Sequence, residues 1–232
     1  MAVMRDAGLA QRVADFARSA PSPGIKAVKD KLWRGRVQRV ATRPKIFTYT
    51  LFPLVYVSTR LHRNFDAYFW EPIRRLDPFP LDYQVRYANV QAAIGLEGLE
   101  HLAQWNADTV RHAQLMSERL RPVPGVQVPT VPSDRTHAFY QYSAYVPSRD
   151  TLVDRCLRHG VDIETLHVDV CTELALFDEF RTHAPGAEQT KGAVQIPVYE
   201  SLTDDQLEHV ASVVKSAVAS LAAHDVPAVR EY

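Results

Sequence analysis

The run Arg86-Tyr87-Ala88-Asn89-Val90-Gln91-Ala92-Ala93-Ile94-Gly95-Leu96-Glu97-Gly98-Leu99 opens the most regular part of this 232-residue chain. From it the sequence predicts a long helix over about Ala88 to Leu120, because Leu99, Leu102, Ala103, Val110, Ala113 and Leu120 recur at helical spacing. Pro122 and Pro124-Gly125 stop it. Downstream, Val126 and Val128 begin a short strand, and Ala138 to Val146, rich in Phe139, Tyr140, Tyr142 and Tyr145, reads as a second. Ser148 is placed as N-cap of a helix carrying Leu152, Val153, Cys156 and Leu157, and Gly160 is placed to end it. Val161 to Ile163 and Ala193 to Val198 are further strand candidates. Thr203-Asp204-Asp205-Gln206 matches a capping box for a last helix with Leu207, Val210, Val214, Val218 and Leu221 on one face, and the tail after Ala222 is expected to fray. This order predicts an α+β module: a long helix and a small, mostly antiparallel sheet covered by helices.

Upstream of the opening run the pattern changes. Residues 1–20 read as a short helix with Leu9, Val13, Phe16 and Ala17 on one face, broken by Pro21-Ser22-Pro23-Gly24. Residues 24–83 read as an insertion, helical in pieces, basic first and then apolar and aromatic. The division expected is therefore a helix-bearing piece over 1–23, the insertion over 24–83, the regular module over 84–222 and a tail over 223–232. There are no internal repeats.

Composition narrows the classes. Lys+Arg and Asp+Glu are 27 each, so net charge names no partner, and the hydrophobic fraction of 46% is ordinary for a globular protein. Two cysteines without C-x-x-C spacing fit a reducing cytoplasm. The N-terminus has no long apolar core, so no signal peptide is expected, and the longest apolar approach, Ile46 to Val57, is too short for a membrane span. The charge is uneven, however. From Gly24 to Arg63 there are ten Lys and Arg against the single acid Asp30.

Five segments, in one order, carry a resemblance. The opening run is similar to the "N-Y-R-M-S-E-L-Q-A-A-I-G-L-A-Q-L" segment of the DegT/DnrJ/StrS family of pyridoxal-phosphate (PLP) sugar aminotransferases. Pro124-Gly125-Val126 resembles that family's turn after the long helix, and Thr136 to Tyr142 its "H-x-Y-Y-Q-Y" strand. His159-Gly160-Val161-Asp162 resembles the "R-G-I" before its substrate loop, and Ile196 to Gln206 its "L-P-x-Y-P-x-L-T-D-E-Q" run. The resemblance covers 84–221 well and 1–20 weakly. It implies the C-terminal small domain of a fold-type I aminotransferase, cytoplasmic, working as a homo- or heterodimer on a nucleotide sugar.

Residues 3–18 resemble the stretch just after the family's catalytic lysine, so the chain is expected to start immediately downstream of that residue. None of the six lysines (Lys26, Lys29, Lys31, Lys45, Lys191 and Lys215) has its glycine-rich context. No catalytic residue is therefore assigned, and PLP is expected only if a partner chain completes the site. The resemblance implies cofactor-binding roles for Gln84, where the family has an Asn reaching the neighbouring subunit's cofactor phosphate, and for Arg86. The residues by themselves also allow both to cap the long helix. His137 and Tyr140 match the aromatic strand, and His167 the substrate loop, which implies substrate contact; for His137 and Tyr140 simple aromatic packing is the alternative. His167, Asp169 and Cys171 alternate as strand neighbours would, but no second ligand cluster accompanies them and no metal is expected. The other histidines read as solvated helix positions.

The basic stretch 24–63 has two readings. It is either a membrane-surface element, with Phe47 to Val57 burying apolar parts beside Lys and Arg at anionic headgroups, or a helical hairpin packed on protein. No nucleic-acid motif accompanies the charge. The whole chain has three functional readings: an aminotransferase part completed by a lysine-bearing chain, a non-catalytic dimerisation or regulatory module, and a fragment with no function of its own.

Overall fold

A computed structural model describes residues 5–60, 75–80, 83–165 and 170–224. Contacts group the chain into two compact units, Met1–Glu97 and Gly98–Tyr232.

The first unit is helical. Helix α1 (Ala7–Ser19) is capped by Asp6, whose carboxylate accepts the Leu9 N–H, and α2 (Ile25–Ala41) comes after the expected Pro-Gly break. A short turn at Pro44–Ile46, a π-helical turn at Phe47–Leu51 and α3 (Phe52–Arg60) come next. There Phe52 stacks on Tyr56 at 5.9 Å and lies 6.4 Å from Phe47. The long helix α4 (Asn89–Leu120) begins in this unit. Its start is capped by neither Gln84 nor Arg86: the Ala88 N–H donates to Gln91 Oε1 at 3.0 Å.

The membrane-surface reading meets a geometric obstacle in α2. At about 100° per residue, Arg36 and Lys29 fall between Ile25 and Val40, Lys26 between Trp33 and Val37, and Arg39 between Val28 and Leu32. Charges and apolar side chains interleave around the helix and leave no apolar face to bury in a headgroup layer. No helix among the described residues is long and apolar enough to cross a membrane.

The second unit holds the core. Among the described residues every buried side chain lies between His112 and Leu221. Strands β1 (Tyr142–Tyr145) and β2 (Ala193–Ile196) pair antiparallel, Tyr142 opposite Ile196 and Tyr145 opposite Ala193. The strands expected at 126–128 and 161–163 shrink to one antiparallel bridge each, Gln127 with Tyr145 and Glu164 with Gln195. Helix α5 (Arg149–Arg158) packs on α6 (Asp204–His224), which carries the expected buried stripe from Leu207 to Leu221. Helix α6 runs to His224, past the expected fraying point, and 225–232 lie outside the described residues.

Two local devices act as the sequence predicts. Gly160, at φ 78°, ends α5 in a Schellman motif, with Gly160 N–H on Leu157 O and Val161 N–H on Cys156 O, both at 3.0 Å. The capping box closes both ways: Thr203 N–H donates to Gln206 Oε1 at 2.9 Å and Gln206 N–H to Thr203 Oγ1 at 3.3 Å. Thr203→Ala is expected to cost about 1 kcal/mol of stability, read as a shift in the urea midpoint.

Three expectations change. The aromatic strand starts only at Tyr142, because Phe139 is buried with φ 49°, a left-handed conformation that no strand residue holds. Ser148 stands at the N-cap of α5 but is also left-handed (φ 49°), and its hydroxyl makes no cap hydrogen bond. On α4 the buried face is His112, Ala113, Met116, Ser117 and Leu120, while Leu99 and Leu102 are exposed. The core thus takes only the C-terminal third of the helix.

Candidate functional site

The predicted site residues fall into separate units. In the first, Gln84 is exposed, and Arg86 is tied to the break between α1 and α2. The Arg86 N–H donates to Pro21 O at 3.0 Å, and its guanidinium donates from Nε (2.9 Å) and Nη2 (2.6 Å) to Ser22 Oγ. That local anchoring occupies part of the donor fork a phosphate would use. In the second unit, His137 is exposed and its Nδ1 accepts the Phe139 N–H at 2.9 Å, which supports the left-handed turn. The two rings lie 4.5 Å apart, and Tyr140 beside them is 94% exposed. Neither residue sits on a strand. His167 and Asp169 lie outside the described residues, and Cys171 is exposed in the short helical turn Cys171–Glu173. Among the described residues no cluster could hold a metal ion.

The most connected polar group is one the sequence reading missed. His112 is 1% exposed on α4. Its Nδ1 faces Tyr199 O at 2.9 Å and its Nε2 faces Arg111 Nη2 at 2.7 Å. Guanidinium has donors only, so Nε2 must accept and Nδ1–H must donate to the carbonyl, which fixes one neutral tautomer. Arg111 also donates to Asp204 Oδ1 at 2.8 Å. Asp204, the first residue of α6, is held below the usual carboxylate range by that hydrogen bond and the Arg111 charge. The relay ties α4, the 197–202 loop and the start of α6 together. Its sequence signal was the spacing 112, 116, 120, which puts His112 on the core stripe with Met116 and Leu120. A second buried pair supports the same helix. Ser117 Oγ donates to Ala113 O, so Tyr142 OH must donate to Ser117 Oγ, each at 2.8 Å.

PLP requires a lysine for the imine and a carboxylate at the pyridinium nitrogen. None of the six lysines is buried: Lys191 pairs with Glu173 at 2.6 Å, Lys215 is half-buried on α6, and the other four are exposed. Nor is any Asp or Glu buried among the described residues. The two cysteines differ: burial pushes the Cys156 thiol up to about 11, while Cys171 is exposed. The residues present therefore do not fit a complete cofactor site.

The sequence profile of the DegT/DnrJ/EryC1/StrS aminotransferase family matches residues 59–215. A curated relative, the "Pleiotropic regulatory protein" of Geobacillus stearothermophilus, is 27% identical over 136 residues, 56% of this chain and 37% of that protein. Among solved structures, the sugar aminotransferase CalS13 from Micromonospora echinospora superposes with TM-score 0.53 at 26% identity, over 57% of this chain and 37% of that one. DesV of S. venezuelae, solved in complex with a ketimine intermediate, superposes with TM-score 0.53 at 18% identity, over 71% and 44%. The chain thus spans well under half the length of the relatives it matches.

Proposed function

This chain belongs to the DegT/DnrJ/EryC1/StrS aminotransferase family, and we propose that it serves as one part of a sugar aminotransferase whose Schiff-base lysine is supplied by another polypeptide. The observation that carries this reading is the pairing of a family match over 59–215 with six lysines of which none is buried. The reaction is amino transfer, with glutamate as the typical donor, to a keto-sugar nucleotide, in the cytoplasm. When bound, PLP would supply the electron sink. On this reading residues 1–23 are what remains of the large domain, 24–83 is an insertion, and 84–222 is the small domain with its linking helix. Gln84 and Arg86 would face the cofactor phosphate of the completing chain, and His137, Tyr140 and His167 the sugar.

The chain alone, mixed with PLP, is expected to show no imine absorbance that borohydride fixes at a single lysine. Mixed with the lysine-bearing chain, it is expected to bring the band up. A borohydride-fixed band at one lysine of this chain, located by mass mapping, overturns the reading, and so does colourless, inactive material from both chains together. The second reading is a non-catalytic regulatory or dimerisation module. It is favoured by the one observation that the curated relative is named for regulation, and it is the reading left standing by the colourless outcome.

A further inference from the structure

The interleaved charge that keeps α2 out of an apolar layer ends with that helix. Ile46 to Val57 contains no charged residue, and the chain has no acid between Asp30 and Asp66. The run is helical throughout, first in the π-helical turn and then in the opening of α3. Its two threonines, Thr48 and Thr50, stand two positions apart and so fall on different sides, which gives no polar face to turn to water. The Thr50 hydroxyl already donates to Ile46 O at 2.6 Å. A helix that is apolar all round is found where something apolar covers it. None of the run's described side chains is buried. Phe47, Phe52 and Tyr56 pack on one another, while Tyr49 is 81% exposed and Leu54 and Val57 are more than half exposed. The run lies outside residues 59–215, so the family match assigns it no role.

Charge says what the cover is. The eight Lys and Arg from Lys26 to Lys45 lead into the run; all are exposed, and none pairs with an acid among the described residues. Arg60 and Arg63 follow it in the sequence. The matching surface is therefore apolar at one level and anionic at the next. We propose that this segment seats the chain on an anionic phospholipid surface, with Ile46 to Val57 sunk below the headgroups and the cations of α2, with Arg43 and Lys45, against the lipid phosphates. The division of labour explains both stretches. Cations on every side let α2 lie on a charged surface in any rotation and keep it from entering, while the uncharged run enters. At about 1.5 Å per residue the run is roughly 18 Å long, well short of the ~30 Å of hydrocarbon, so it lies in the interface and does not cross. A nucleic acid would use the cations and leave 46–57 bare. An apolar protein groove would cover 46–57 and leave the cations unmatched. An anionic bilayer offers both chemistries within about 10 Å of depth.

Flotation of the full chain with lipid vesicles tests it. Vesicles of about 30 mol% phosphatidylglycerol in phosphatidylcholine, at about 50 mM NaCl, are expected to carry the chain at least ~10-fold better than phosphatidylcholine alone. Raising NaCl to about 0.5 M is expected to weaken this at least ~5-fold, because screening shortens the reach of the α2 cations. K29E/R36E/R39E is expected to lose the preference for anionic vesicles, and Y49S/L54S/V57S to partition at least ~10-fold less, both with unchanged circular dichroism spectra. Should either variant misfold, the wild-type chain on vesicles with a photoreactive acyl chain decides independently. Acyl cross-links, located by mass mapping, are expected within 46–57 and not on α2. No flotation on anionic vesicles at low salt, equal flotation on neutral ones, or acyl cross-links that miss 46–57 would overturn the proposal. The first of these would leave 46–57 to a protein groove. Neither PLP nor a lysine-bearing chain enters these measurements, so their failure leaves the reaction proposed above untouched.

Discussion

Replacing His112 with alanine is expected to lower the unfolding free energy by about 3 kcal/mol, read from urea denaturation at neutral pH. Two losses combine. The imidazole leaves a cavity in the tight packing beside Met116 and Leu120, which relaxes only in part. The Tyr199 carbonyl also loses the donor that the ring supplied. Arg111→Ala removes two contacts, the donor to His112 Nε2 and the ion pair with Asp204. The ion pair with Asp204 is exposed, so solvent screens it and its contribution is small. It carries a pH signature instead. Asp204 titrates below its usual range when folded, so the pair stabilises fully above the unfolded carboxylate pKa. That contribution is lost as pH falls through the depressed folded value. The wild type should therefore lose stability on the acid limb by slightly more than Arg111→Ala does. Equal acid limbs in the two proteins would show that the Asp204 shift contributes nothing.

Leu152→Ala is expected to cost a similar amount, about 3 kcal/mol. Leu152 is fully buried on α5, against the stripe of α6. The same truncation at Leu9, exposed on α1, should change stability by under about 0.5 kcal/mol when measured dilute and at high salt. The pair of variants tests whether the buried residues of 112–221 form the whole cooperative core. A Leu9 effect as large as that of Leu152 would mean that α1 unfolds with that core.

What was readable in the sequence divides along physical lines. Helix periodicity, the Thr203–Gln206 capping box and the Gly160 stop depend on residues within a few positions of one another, and each is found where the sequence put it. The strands depend on partners roughly fifty residues away, and local β-propensity overstated them. Phe139 is the clearest instance: an aromatic residue in a β-rich run reads as strand, yet here it takes a left-handed turn in which its N–H donates to His137 Nδ1. Burial along α4 failed for a related reason. Periodicity shows which face of a helix is apolar and is silent on how far along the helix the covering elements reach. His112 was passed over because its type suggested solvent while its spacing pointed inward. Gln84, Arg86, His137 and Tyr140 could be singled out as candidates from motif order alone. Their hydrogen-bond partners, such as Ser22 for Arg86, could not, since the two lie 64 residues apart.

The two single-residue bridges flanking the sheet bear on how this protein would fail. Gln127 occupies the outer edge of β1 and Glu164 the outer edge of β2, so a ladder of two four-residue strands leaves few free amides at either side. Among the described residues, edge-to-edge growth, the route to cross-β fibres, has almost no template. The longest runs of bare apolar positions are helical instead, on α1, α2, residues 46–57 and the first two-thirds of α4, with Tyr140, Phe180 and a few others exposed singly elsewhere. Misassociation of stored protein would therefore proceed by helix-to-helix clumping, which dilution reverses, and not by seeded fibril formation.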